Sequence, residues 1–144
     1  MARLRVSILL DANPPRVWDD LRHIDRHVEW MRDAIELRFT SESTEGVGTT
    51  FDCDTRVGPF RLTDQMEITG WEPERAMGVR HVGLVTGEGV IRLRARRGGR
   101  TRVTWSEVLR FPWWMGGPIG AWLATPVLWL VWRGSMRNLA ARFV

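Results

Sequence analysis

Lysine is absent from the 144 residues, and cysteine occurs once, at Cys53. A lone cysteine excludes an internal disulfide and a thiolate zinc cluster. The basic side chains are therefore all arginine, and the net charge is +4. That balance permits weak attraction to anionic surfaces without naming a partner. No P-loop, G-x-G-x-x-G, G-x-S-x-G or H-E-x-x-H spacing is present. Their absence argues against a nucleotide enzyme, a serine hydrolase and a zinc protease. The apolar run Val6 to Leu10 is too short for the hydrophobic region of a signal peptide, so the expected location is cytoplasmic. No repeat, low-complexity tract or linker interrupts the chain, and residues 1–144 read as one domain large enough for a core.

Charge is also missing between Phe111 and Trp132, where five of the nine tryptophans lie. A run of about 20 apolar residues is long enough to cross a bilayer. Here Gly116-Gly117-Pro118 and Pro126 interrupt it, which favours a soluble reading. Phe111–Gly120 reads as a loop or broken turn. Thr125-Pro126 reads as N-cap and first turn of a helix running to about Arg142. On a helical wheel Trp129, Trp132, Met136, Leu139, Ala140 and Phe143 share one side, and Arg133, Arg137, Asn138 and Arg142 the other. Trp129 and Trp132 are thus expected against the core. Ile119, Leu123, Val127 and Leu130 point away from that stripe and need a second partner: a membrane, a dimer contact, a lid over a cavity mouth, or the protein's own core if residues 117–125 form a separate short helix.

Upstream, the period is mostly two. Leu4, Val6, Ile8 and Leu10 alternate with polar residues as in a half-buried strand. Asn13-Pro14-Pro15 caps a helix with Val17, Trp18, Leu21 and Ile24 on its apolar side. A short turn, His27–Met31, follows. Strands are then predicted through Ile35, Leu37 and Phe39; through Phe51, Cys53 and Thr55; and through Phe60, Leu62, Met66 and Ile68. Three more carry Met77, Val79 and His81; Ile91, Leu93 and Ala95; and Val103, Trp105, Glu107 and Leu109. Gly46-Val47-Gly48, Gly58-Pro59, Trp71-Glu72-Pro73-Glu74 and Gly98-Gly99 are the turns. Six consecutive strands without helices between them imply an antiparallel meander, and the terminal helix is the only element left to cover its apolar face. The space between such a sheet and helix is where a small ligand would bind.

The segments PPRVWDDLRHIDRHVEWM, GVGTTF, ITGWEPERAMGVRH and GRTRVTWSE, with the long terminal helix, resemble the START-like helix-grip superfamily (SRPBCC), in its polyketide cyclase/dehydrase-like branch. The resemblance covers essentially the whole chain. It implies an α+β helix-grip fold: a curved antiparallel sheet of about seven strands around a long C-terminal helix, with two short helices after the first strand. It further implies an apolar cavity of the kind used by lipid carriers, quinone-binding proteins, hormone receptors and aromatase/cyclases. No catalytic motif carries over residue by residue.

Strand parity supplies candidates independently. Asp64, His81 and Glu107 sit on apolar faces, so they are candidate proton-transfer or ligand-orienting groups. With His81 and Glu107, the expected ligand lining is Phe51, Cys53, Met66, Met77, Ile91, Trp105 and Trp129. Each polar group could instead be satisfied by backbone, water or a cross-strand arginine. His23 and His27 stand four apart, but Asp25 breaks the helix between them and no third ligand is evident, so no metal or other cofactor is expected. The arginines around Gly98-Gly99 lack stacking aromatics, which argues against nucleic acid. Binding or transport of a hydrophobic small molecule is the leading expectation, as a monomer or homodimer with possible peripheral membrane contact. A cyclase/dehydratase enzyme and a non-catalytic interaction module are the alternatives.

Overall fold

A computed structural model describes residues 1–144. The alternation at the N-terminus becomes β1, Ala2–Leu10, with Ala2, Leu4, Val6 and Leu10 buried. Helix α1, Pro14–Leu21, begins where expected: the Asn13 side chain accepts a hydrogen bond from the Arg16 N–H at 3.2 Å. It buries Val17, Trp18 and Leu21. A 3-10 helix, Ile24–Glu29, follows, so His23 and His27 share no α-helical turn. His27 instead donates its ring N–H to the Leu21 carbonyl at 2.7 Å.

Six strands come next: β2 Ala34–Phe39, β3 Thr50–Val57, β4 Phe60–Glu72, β5 Ala76–Val82, β6 Thr86–Arg96 and β7 Arg100–Arg110. With β1 they form one antiparallel sheet in the order β1-β7-β6-β5-β4-β3-β2. Both Gly98 and Gly99 have positive φ, as the tight β6–β7 hairpin requires. Two details differ from the pattern reading. The pairing slips between Ala34 and Glu36, so Ile35 is the extra residue of a bulge and is 47% exposed rather than inward. Strand β4 continues through Trp71 and Glu72, because Trp71 packs edge-on against Trp18 at 5.1 Å; the turn begins at Pro73.

The terminal helix α2 spans Gly117–Ala141, about two turns longer at its start than predicted. The first-turn proline is Pro118, behind Gly116 in the left-handed conformation. Thr125 is not a cap: its hydroxyl donates to the Ala121 carbonyl at 2.8 Å within the helix. Pro126 sits inside the helix, and the carbonyl it leaves without a donor belongs to exposed Trp122. Phe111–Gly120 is likewise not a loop throughout, since Trp113–Met115 forms a 3-10 turn and the helix starts two residues later.

Gly117 and Ala121 are buried in the first half of α2, but the side-chain anchors lie in its second half. Trp132, Ser135, Met136 and Leu139 are buried. The Ser135 hydroxyl accepts from the Arg32 N–H at 2.9 Å, and Asn138 donates to the Trp30 carbonyl at 3.2 Å. Arg142 forks onto both Asp20 oxygens at 2.7 Å and holds the Asp20 carboxyl below the usual range. Trp129, expected in the core, lies outside at 38% exposure, with the Arg133 guanidinium over its ring. The buried stripe of α2 runs through Ala121, Trp132, Ser135, Met136 and Leu139, and Trp129 lies at its edge. Trp132→Ala is expected to cost about 3–5 kcal/mol in chemical denaturation. Trp129→Ala is expected to cost under about 1 kcal/mol. Equal losses would contradict this phasing.

Candidate functional site

A cavity of about 720 Å³ lies between the sheet and α2, and 28 of its 36 lining residues are hydrophobic. Its wall includes Phe51, Cys53, Met66, Met77, His81, Ile91, Trp105 and Glu107, which strand parity had singled out, but not Trp129. The helix supplies Trp132, Leu128, Val127 and Leu123 instead. At one end Trp132 stacks flat on Trp105, with ring centres 4.4 Å apart and planes 10° apart, and Trp30 meets Trp105 edge-on at 6.1 Å.

A polar row crosses the apolar wall. The His81 Nδ1–H donates to Asp64 Oδ2 at 2.9 Å and its Nε2–H donates to Glu107 Oε1 at 3.2 Å. His81 and Glu107 are both 6% exposed. The three residues come from β4, β5 and β7, so Glu107 must reach across β6. It does so over Gly89, its direct partner on β6. A Cβ at Gly89 would fall 2.7 Å from Glu107 Oε1 and closer still to its Cγ. Gly89 has an ordinary φ, so what matters here is the missing side chain rather than the backbone freedom.

Burial works against charge on His81, but its bonds to Asp64 and Glu107, with their field, outweigh it and push its pKa up to about 10. Both ring nitrogens then carry protons already committed to carboxylates, which leaves no lone pair for a base or a metal ligand. Burial pushes the Cys53 thiol up to about 12, so it is no nucleophile near neutrality. Burial lowers the pKa of His27, which favours its neutral form.

Asp33 is the member that sequence reasoning missed. It lies in the connection before β2, where no periodicity marks a face, yet it lines the cavity. Most of its surface is covered, and it belongs to the cavity wall. Burial, reinforced by the charges of Glu107 and Asp64, pushes its pKa up to about 6, against its own backbone N–H and the neighbouring Trp132 indole. Asp64 Oδ1 and Trp132 Nε1 are buried with no hydrogen-bond partner.

An open antiparallel sheet gripping a long helix defines a helix-grip protein of the α+β class. The chain belongs to the family described as polyketide cyclase / dehydrase and lipid transport, which matches residues 1–144. Solved structures agree on the fold. A Thermus thermophilus protein superposes with a TM-score of 0.81 at 16% identity, covering 98% of this chain and 96% of its own. XoxI from Bacillus cereus gives 0.77 at 14%, covering 99% and 96%. The di-domain ARO/CYC StfQ of the steffimycin biosynthetic pathway gives 0.77 at 13%, with 99% of this chain matching 50% of that one. No curated protein matches by sequence.

Because the folded-state pKa of His81 lies above 6.5, its charged form stabilises the fold fully below that pH, and the contribution is lost as pH rises through about 10. Asp33 has the same sign lower down, its contribution being lost from 3.8 through about 6. Thermal melts are expected to show stability falling through the alkaline interval in the wild type and much less in His81→Asn. An unchanged slope in that variant would show that the row is not its source. Gly89→Ala is expected to push Glu107 off His81 and lower the imidazole pKa, read by NMR titration. A pKa left near 10 would contradict the role given to the missing side chain.

Proposed function

We propose that the protein binds, and carries or presents, a hydrophobic small molecule of the lipid, quinone or polyketide-like class between sheet and helix. The observation that carries this reading is the cavity itself: about 720 Å³ with an apolar wall, within the range of pockets that enclose a small ligand. A protein that filled this space with side chains would gain packing energy, so an empty apolar space of this size costs stability unless something occupies it. Native mass spectrometry of the purified protein is expected to release a small hydrophobic molecule. A ligand-free spectrum, together with no uptake of added apolar probes, would remove the reading.

The mouth suggests how such a ligand enters. Phe60, Leu84, Trp114, Leu123 and Val127 line it, and all five are at least half exposed. Ile119, Trp122 and Leu130 extend the apolar surface along α2, at 71%, 72% and 61% exposure. Monomers rarely leave so large a patch open. The only charges in residues 56–61, 82–87 and 110–133 are Arg56, Arg61, Arg110 and Arg133. Apolar side chains ringed by arginine alone match an anionic lipid surface. No helix is long and apolar enough to cross a membrane, so the contact proposed is peripheral. The protein is expected to float with anionic liposomes, less so in high salt, and Leu123→Asp is expected to abolish flotation without unfolding. Sedimentation away from such liposomes would overturn this part.

A second reading, a cyclase- or dehydratase-type enzyme, is favoured by the convergence of Asp64, His81 and Glu107 and by Asp33 beside them. With both nitrogens of His81 committed, Asp33 is the better proton carrier near neutrality. Turnover of a polyketide-like substrate should then rise through about pH 6. A rate flat across that interval would exclude Asp33 as the base.

A further inference from the structure

The ligand's polar end can be assigned by what the cavity wall leaves unsatisfied. The charged groups that face it are unevenly divided. Asp33, Asp64 and Glu107 bring three carboxyl groups, against the His81 imidazolium and, at the exposed mouth, Arg61. The imidazolium has no donor to spare, since both of its N–H groups are taken by Asp64 and Glu107. A ligand carboxylate or phosphate would therefore enter an apolar space walled by like charge and find no buried cation free to pair with it, which is among the costliest arrangements in a binding site.

One donor does remain. Trp132 is 97% covered, its ring forms the cavity wall, and its Nε1–H has no partner. A buried N–H left unbonded costs the full desolvation of that group. Asp33 lines the same cavity near enough for that indole to hold its carboxyl down, yet the N–H and the carboxylate do not meet in hydrogen-bond geometry. Donor and acceptor are adjacent without completing each other. A hydroxyl group suits such a slot: its oxygen accepts from the indole N–H while its proton goes to the carboxylate. An ammonium could serve Asp33 but not Trp132, and a carboxylate could serve Trp132 but would be repelled by Asp33.

We propose that the Asp33–Trp132 slot holds the polar end of the ligand, and that this end is an uncharged hydroxyl, alcoholic or phenolic, on an apolar body. The assignment rests on the ligand-binding reading and narrows it, setting fatty acids and phosphate-headed lipids aside as ligands of this cavity.

The test is a tryptophan-fluorescence titration of the wild-type protein near neutral pH with decanol and with decanoate, which share a chain and differ in the head. Decanol is expected to bind at least about tenfold more tightly. Trp132→Phe keeps an aromatic ring on Trp105 while removing the N–H together with part of the ring, and Asp33→Asn keeps the shape and removes the charge. Trp132→Phe is expected to weaken decanol by about fivefold, the worth of one neutral hydrogen bond. Asp33→Asn is expected to narrow the gap between the two probes. Decanoate binding as tightly as decanol to the wild type would overturn the inference while leaving the cavity-binding reading intact. A gap unchanged in both variants would overturn the slot as its source. Binding of neither probe would take down the broader reading and this one together.

Discussion

Trp132 lying flat on Trp105 is the contact on which the rest of this structure depends. It joins the second half of α2 to β7, and the Arg142–Asp20 fork and the Ser135 and Asn138 bonds secure the same half to the segment after β1. The first half of α2 buries Gly117 and Ala121, but its one side-chain hydrogen bond, from Thr125, stays within the helix. Large aromatic rings at one end hold helix and sheet apart, and the sheet residues beyond them, such as Phe51, Met66 and Met77, face open space instead of helix side chains. The cavity is therefore a consequence of where the packing is concentrated, since a helix pinned along its full length would close the gap.

The polar row is tolerated in that space because it is nearly self-contained. Removing charges from water is expensive, and pairing offsets the cost only with good geometry. His81 meets that condition with both nitrogens bonded, and the hollow at Gly89 is what lets Glu107 reach it. The row fixes an electrostatic character on an otherwise apolar wall, and its carboxylates add to the burial that raises the Asp33 pKa to about 6. The two groups left without partners, Asp64 Oδ1 and the Trp132 N–H, are both on the cavity wall, so their cost is concentrated at this one place.

The exposed apolar side chains of α2 belong to the same arrangement. Leu123 and Val127 border the cavity and are also open to solvent, so the first half of the helix is wall and outer surface at once. Membrane contact and ligand passage, if both are assigned here, would use the same residues. This couples them without any further device: a surface that buries Leu123 and Trp114 also changes what covers the mouth.

Much of this was legible in the chain. Period-two alternation marked all seven strands, and the inward positions of His81, Asp64 and Glu107 followed from parity, since side chains alternate strictly along a strand. Asn13-Pro14 marked a helix start because capping is local chemistry. The same signature misled at Thr125-Pro126, where a preceding apolar turn could also be helical and only the continuing backbone decides. Parity likewise failed at Ile35, because a bulge depends on the partner strand, and Asp33 carried no signal because it lies between elements. By itself the sequence determined the elements, their order and which faces are apolar, all consequences of local geometry and hydrophobic pattern. Only the tertiary structure decided that the side-chain anchors of the helix gather in one half, that Gly89 lets three strands bring Asp64, His81 and Glu107 together, and that Trp132 and Asp33 line one cavity, because these depend on distances between residues far apart in the chain.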